Sequence, residues 1–175
     1  MDEIRYPTGR FTPTGAPLSN EERAALTGRI EALPAEIAAA VTGLGDAQLD
    51  TPYRQGGWSP RQIVHHLADA HLNGFMRFKL TVTEDRPTIK LYDQEAWADQ
   101  ADVTGVPVEV SLAILEGLHA RWARLLRSLE PRAFGRRLVH PEMGDLDLDF
   151  LLQLYAWHGH HHATQVARLR KEKGW

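Results

Sequence analysis

Apolar residues recur every three or four positions in four separate stretches of this chain. That period constrains the fold more than any other feature. A 3.6-residue repeat gathers such residues on one helical face, which must be buried against something. Four such faces in 175 residues bury one another most simply as an all-α four-helix bundle. One stretch announces its start clearly. In GWSPRQIVHHLADAHLNGFMRFKLTV, Ser59 is the expected N-cap, Pro60 the first helical residue and Gln62 the capping-box partner. Ile63, Leu67, Ala70, Gly74 and Phe78 form its inner stripe, widened by Val64, His71, Phe75 and Val82.

The other three helices follow by the same logic. Ser19 and Glu22 make a second capping box, and Leu26, Ile30, Leu33, Ile37 and Val41 follow at helical spacing. Pro34 falls inside that stripe and predicts a kink or a break there, with Gly43 and Gly45 ending the element. A third helix carries Leu112, Leu115, His119, Trp122, Leu126 and Leu129 on one face and stops at Pro131. The fourth runs over residues 148–171, and Arg168, Arg170 and Lys171 read as its solvated, dipole-favouring end. Residues 84–107 form a long polar connection of the kind that lines sites, with LYDQEAW as a helical turn setting Tyr92 and Trp97 on the domain. RRLVHPEMGDLDLD alternates apolar and polar residues around Pro141 and Gly144. It predicts a small hairpin before the last helix, with His140 on its surface. Residues 1–18, with Pro7, Pro13 and Pro17, read as an extended, non-helical arm pinned by Tyr6 and Phe11. Residues 1–175 are thus expected to form one domain.

Composition narrows the partners. The net charge of −3 lacks the basic footprint that nucleic acid or an anionic membrane surface requires. No apolar run is long enough to span a bilayer, and the start, MDEIRYPTGR, has no signal-peptide pattern, so the expected location is cytoplasmic. Without cysteine, any metal must be held by histidine, carboxylate or carbonyl.

Histidine supplies the candidates. LYAWHGHHHATQV puts four of them within residues 158–162. With Leu151 as zero and 100° per residue, His158 and His162 fall within roughly 20° of the centre of the apolar face. His161 lies at its edge, and His160 points to water. An i, i+4 pair brings both imidazoles over one point, as two ligands of one ion require. The competing reading is a pair of core histidines, which leaves four ring nitrogens to satisfy in an apolar layer. A third ligand has four candidates on other helices: His65, which points outward, His66 on a flank, His71 near a stripe centre, and His119. Helical position favours His71 over His66. Asp69, facing away from the stripe, reads as a solvated carboxylate, and Asn73 and Gln165 are nearby candidates to orient an imidazole.

The quoted stretches resemble, in order and spacing, the YfiT-like branch of the DinB/YfiT family. LDTPYRQGGWSPRQIVHHLADAHLNGFMRFKL and YAWHGHHH carry most of the likeness, and RYPTGRFTP, LYDQEAW and LHARWARLL extend it over nearly the whole chain. The resemblance implies a four-helix bundle of metal-dependent hydrolase type that forms homodimers. It implies one divalent ion, zinc before nickel, on His66, His158 and His162, which replaces the preference for His71. Some relatives resemble transferases that join a low-molecular-weight thiol such as bacillithiol to an electrophile. HGHHH lacks the glutamate of a His-Glu-x-x-His peptidase helix, so no built-in general base is visible and no catalytic acid or base is assigned.

Three neutral imidazoles would leave an open fourth position on a tetrahedral ion, the arrangement of catalytic rather than structural sites. Water there can reach a pKa of about 7, and a thiol there loses its proton. The expected function is therefore hydrolysis or thiol S-transfer on a small-molecule substrate. The alternative is a metal- or ligand-binding bundle without catalysis.

Overall fold

The structure is a computed structural model describing residues 2–15 and 17–175. In chain order its elements are α1 (Asp2–Arg5), α2 (Asn20–Val41), α3 (Asp46–Leu49), α4 (Pro60–Thr83), α5 (Gln94–Ala98), α6 (Ala101–Gly105) and α7 (Val108–Ser128). A 3₁₀ turn (Pro131–Gly135), strands β1 (Arg137–His140) and β2 (Gly144–Asp147), and α8 (Leu148–Lys173) complete it. The four long helices form the expected bundle, with the hairpin directly before α8. α2 packs against α7 and α8, and so does α4. The pairs α2/α4 and α7/α8 therefore sit on diagonals, and α4 and α8 share one wall.

Both predicted capping boxes are present: Ser19 with Glu22 and Ser59 with Gln62, each serine Oγ accepting from the N3 amide. Two sequence expectations are corrected. α2 continues through Pro34 as one helix, so the chain does not break there. Ile30, Leu33 and Ile37 flank that residue and are at most 2% exposed, so burying the stripe outweighs the one hydrogen bond proline removes. The N-terminal arm, expected to be extended throughout, begins with the single turn of α1. That turn stops before Pro7, as the restriction on pre-proline residues requires, and its carbonyls are taken up by α8: Arg168 donates to Glu3 O and Gln165 to Arg5 O. Met1 and Ala16 lie outside the described residues.

The arm lies along α8. Phe11 packs on Phe150 and Trp157, and Gln153 Oε1 accepts from the Thr14 amide at 2.8 Å. Asp149 accepts from the Leu18 amide and both arms of the Arg23 guanidinium, which ties the arm, α2 and α8 together at one end. At the other end Arg170, expected as a solvated cation, donates to the carbonyls of Ala39, Ala40 and Thr42. It thus caps the carbonyls that α2 leaves unpaired where Gly43 turns the chain at φ +79°. No single helix among the described residues is long and apolar enough to cross a membrane.

The core has two apolar clusters. One contains Phe78, Trp122, Leu148, Leu151 and Leu152; the other contains Ile37, Ile63, Leu67, Leu115 and Val166. Against the first cluster, on α4, α7 and α8, His71, His119 and His158 form a polar layer inside the bundle. The connection after α4 is pinned to the hairpin: Ile89 N donates to Val139 O and Val139 N to Pro87 O.

Close approach beside this layer depends on Gly74. A Cβ there would stand 2.6 Å from Tyr155 and 2.7 Å from Trp122, two rings that pack on each other. Gly74→Ala should therefore destabilise by about 1–3 kcal/mol, despite alanine's higher helix propensity. Urea unfolding of the two proteins measures it; equal or greater stability of the variant would contradict this packing.

Candidate metal centre

α4 and α8 cross so that His66, His158 and His162 point at one spot. A ligating nitrogen from each lies within 4.8 Å of the other two. His66 Nε2 and His158 Nε2 are 3.2 Å apart. A tetrahedral ion with 2.0–2.1 Å bonds needs an edge of about 3.3–3.4 Å, so the separation suits two ligands of one ion. Two neutral imidazoles otherwise meet here through a single shared proton.

The remaining nitrogens decide which atoms face that spot. Gln165 donates through Nε2 to Arg5 O at 2.8 Å, which leaves Oε1 as an acceptor for the His162 Nδ1–H at 2.8 Å. His162 is thereby fixed with its Nε2 lone pair free. His158 Nδ1 lies 3.2 Å from His71 Nε2. When His158 offers its Nε2 lone pair, Nδ1 carries the proton and donates it to His71. Both are the orienting contacts a histidine ligand needs through its second nitrogen. Behind His71, His119 stacks at 4.9 Å between ring centroids and donates its Nδ1–H to Ile30 O at 2.5 Å. His71 Nδ1 and His119 Nε2 are buried without a partner among the described residues.

Burial keeps these rings neutral. His66, His71, His158 and His162 are all held well below the ordinary imidazole value, first by desolvation and then by neighbouring histidines. Neutral imidazole is the form that binds a metal.

The other histidines sort clearly. His71, which helical position favoured as third ligand, supports His158 instead. His65, read as outward-pointing, is 5% exposed and bonded to Ser111 Oγ at 2.7 Å and Val106 O at 3.2 Å. The α6 segment, absent from the sequence reading, covers it. His161, placed at the edge, is buried under the arm, stacked on Trp157 and 3.2 Å from Thr8 Oγ1. His160 stays half exposed beside Glu36 at 2.6 Å. His140, expected on the surface, is 6% exposed. Asp69 is not freely solvated: burial, aided by Asp102, raises its pKa to about 6. Asn73 donates to Asp69 O rather than to an imidazole.

Two cavities reach the histidine cluster. The first, about 220 Å³, touches His158 and His162 and is walled by Tyr6 of the arm, Tyr53, Arg54 and Trp58. Trp58 packs on His66 at 4.4 Å and donates its Nε1–H to Glu95, a carboxylate lining this cavity. The second, about 440 Å³, touches His66 and His158 and is walled by Arg77, Tyr92, His140 and Tyr155. Tyr92 thus lines the second cavity, a place where an ordinary packing role is the sequence's stronger expectation. Trp97 packs on Tyr92 at 4.5 Å and lines neither cavity.

The profile of the DinB superfamily matches residues 29–166, which includes all three converging histidines. The chain belongs to the DinB superfamily. Within that superfamily, a Geobacillus kaustophilus protein described as "Putative metal-dependent hydrolase GK0616" is 51% identical over 179 residues, spanning 100% of this chain and 98% of the relative. A Bacillus mycoides protein, "Putative metal-dependent hydrolase BcerKBAB4_2443", is 47% identical over 175 residues and 100% of both chains. Among solved structures, YfiT from Bacillus subtilis matches with a TM-score of 0.95 at 42% identity over 99% of both chains. It is described as "a probable metal-dependent hydrolase with an unusual four-helix bundle topology". TT2238, a four-helix bundle protein, shares the fold at a TM-score of 0.56 and 20% identity, over 81% of this chain and 95% of that one.

The DinB-superfamily site has a pH signature that needs no substrate. Its buried imidazoles refuse protons that the unfolded chain accepts below about pH 6.5. Stability is then fully present above the unfolded value and is lost as pH falls from there towards the depressed folded values. The slope is up to about 1.4 kcal/mol per pH unit for each such histidine. The thermal midpoint of metal-free protein, followed from pH 8 to pH 5, should fall steeply below pH 6.5; a flat profile would contradict the neutral, buried assignment.

Proposed function

We propose that this protein is a metal-dependent hydrolase acting on a small molecule, with one divalent ion, zinc before nickel, on His66, His158 and His162. The observation that carries the reading is the convergence of three neutral imidazoles, two of them braced through their far nitrogens, at a spot two cavities reach. A sealed structural site would not need those cavities, and three ligands leave a coordination position for a reactant. When bound, the ion supplies Lewis acidity that acidifies a water, or a thiol, presented to it.

The chain's own groups supply the rest. Gln165 holds His162 in the tautomer that presents Nε2, and His71 Nε2 is placed to accept from His158 Nδ1–H when His158 presents its own Nε2. Trp58 and the arm residue Tyr6 shield one side of the cluster from bulk water, and Tyr92 and Tyr155 flank the other. Burial pushes the Tyr92 hydroxyl up to about 12 and raises Tyr155 as well, so both remain hydrogen-bond donors at neutral pH. Glu95 borders the first cavity, where a carboxylate can accept a proton from a bound nucleophile. Thiol S-transfer is the second reading. It is favoured by the pair of cavities, which offers separate seats to two reactants.

Zinc or nickel reconstitution should give one ion per chain by elemental analysis. His66→Ala, His158→Ala and His162→Ala should each abolish stoichiometric uptake. Gln165→Leu, which removes the acceptor behind His162, should weaken zinc binding about 10- to 100-fold without unfolding the bundle. A screen of esters, amides and thiol-plus-electrophile pairs on the loaded protein tests the activity. Turnover of esters or amides without thiol supports hydrolysis, turnover only with thiol supports transfer, and none with any divalent metal overturns both.

A further inference from the structure

The second cavity has an unusual balance of polar groups. The largely buried guanidinium groups of Arg23 and Arg61 each sit against carboxylates, at 2.7 Å from Asp149 and from Asp50. Arg77, which reaches the second cavity from α4, has no carboxylate within ion-pair distance among the described residues. It donates to Tyr155 Oη at 2.9 Å and, at 3.4 Å, to Lys90 O. Beside it, His140 Nδ1 accepts from the amides of Glu142 and Met143 at 3.3 and 3.2 Å. Its proton is therefore on Nε2, a donor with no protein acceptor among the described contacts, on a side chain over nine-tenths buried that lines the cavity. Tyr155, having accepted from Arg77, has its own hydroxyl proton to give, and Tyr92 adds another donor. The carboxylates bordering the cavity, Asp93 and Glu142, belong to exposed residues at its edge, and Asp93 is engaged in capping α5 through the amides of Glu95 and Ala96.

We propose that this second cavity is a substrate subsite for a carboxylate, gripped by Arg77 and His140 Nε2, while the reacting bond lies at the histidine cluster. An ionised acceptor meeting a guanidinium and a neutral imidazole N–H makes charge-assisted hydrogen bonds, and a planar carboxylate matches the guanidinium fork. The cavity shares His66 and His158 with the proposed ion, so a ligand held here has its far end against that spot. The proposal deepens the metal-dependent reading by naming a substrate class, small molecules carrying a carboxylate a few bonds from the reacting group, and it rests on that reading.

The test titrates zinc-loaded full-length protein with benzoate and with neutral benzamide, followed by ligand-observed NMR. Benzoate should bind at least tenfold more tightly than benzamide. Arg77→Met should remove that preference, His140→Gln should reduce it, and Arg77→Lys, which keeps the charge, should retain part of it. Arg54→Met, in the first cavity, should leave it intact. Circular dichroism and zinc content report whether each variant folds; if Arg77→Met does not, Arg77→Lys and His140→Gln carry the test. Equal affinity for benzoate and benzamide, an unchanged preference in the Arg77 and His140 variants, or its loss in Arg54→Met would each overturn the assignment. The same titration on zinc-free protein separates the two readings. If the chain takes up no metal, the hydrolase reading fails, while an Arg77-dependent preference for benzoate still upholds the subsite.

Discussion

The structure depends on keeping several imidazoles neutral inside a helical bundle. A ring nitrogen in an apolar interior that nothing answers costs about 1–3 kcal/mol. Here the answers come in sequence: Gln165 for His162, His71 for His158, Ile30 O for His119, Ser111 and Val106 for His65. Of the nitrogens left over, those of His66, His158 and His162 meet at the α4–α8 wall, while His71 Nδ1 and His119 Nε2 stay buried without a partner among the described residues.

That arrangement explains why segments outside the four long helices matter. Gln165 can hold His162 in one tautomer because its amide nitrogen is occupied by the carbonyl of Arg5, a residue of the arm. The arm consequently does two things: it covers His161 and completes the orientation of a neighbouring imidazole. On the opposite side, the connection after α4 is stitched to the hairpin, and this brings Tyr92 and His140 to one cavity from residues nearly fifty positions apart. The candidate site is built from the arm, α4, the connection, the hairpin and α8, with the bundle as its frame.

Much of this was legible beforehand because helices announce themselves locally. The two serine-led capping boxes, the stripe on α4 and the inward aim of His158 and His162 follow from 3.6-residue geometry alone. Where that geometry was used without knowledge of neighbours, it erred. His65 and His161 lie off the centre of their stripes and were read as outward or marginal, yet α6 and the arm cover them. His140 sits in a strand pair, where helical periodicity gives no guidance, and Arg170 was read as solvated because its partner, the end of α2, is distant in sequence. A break at Pro34 is suggested by a local penalty visible in sequence, whereas the burial that keeps α2 continuous is not visible there.

By itself, then, the sequence determined the four amphipathic helices, their starts, and the pairing of two histidines on one inward face, since each of these is set by backbone geometry within a turn or two. The likeness of its quoted motifs to a known family added His66 to that pair. Tertiary structure alone decided that His71 would brace His158 rather than replace His66, and that a second cavity would open against the same cluster. Those outcomes turn on which helix lies beside which, and on how far one imidazole stands from another. Such quantities are fixed by packing between segments distant in sequence, where local periodicity has no reach.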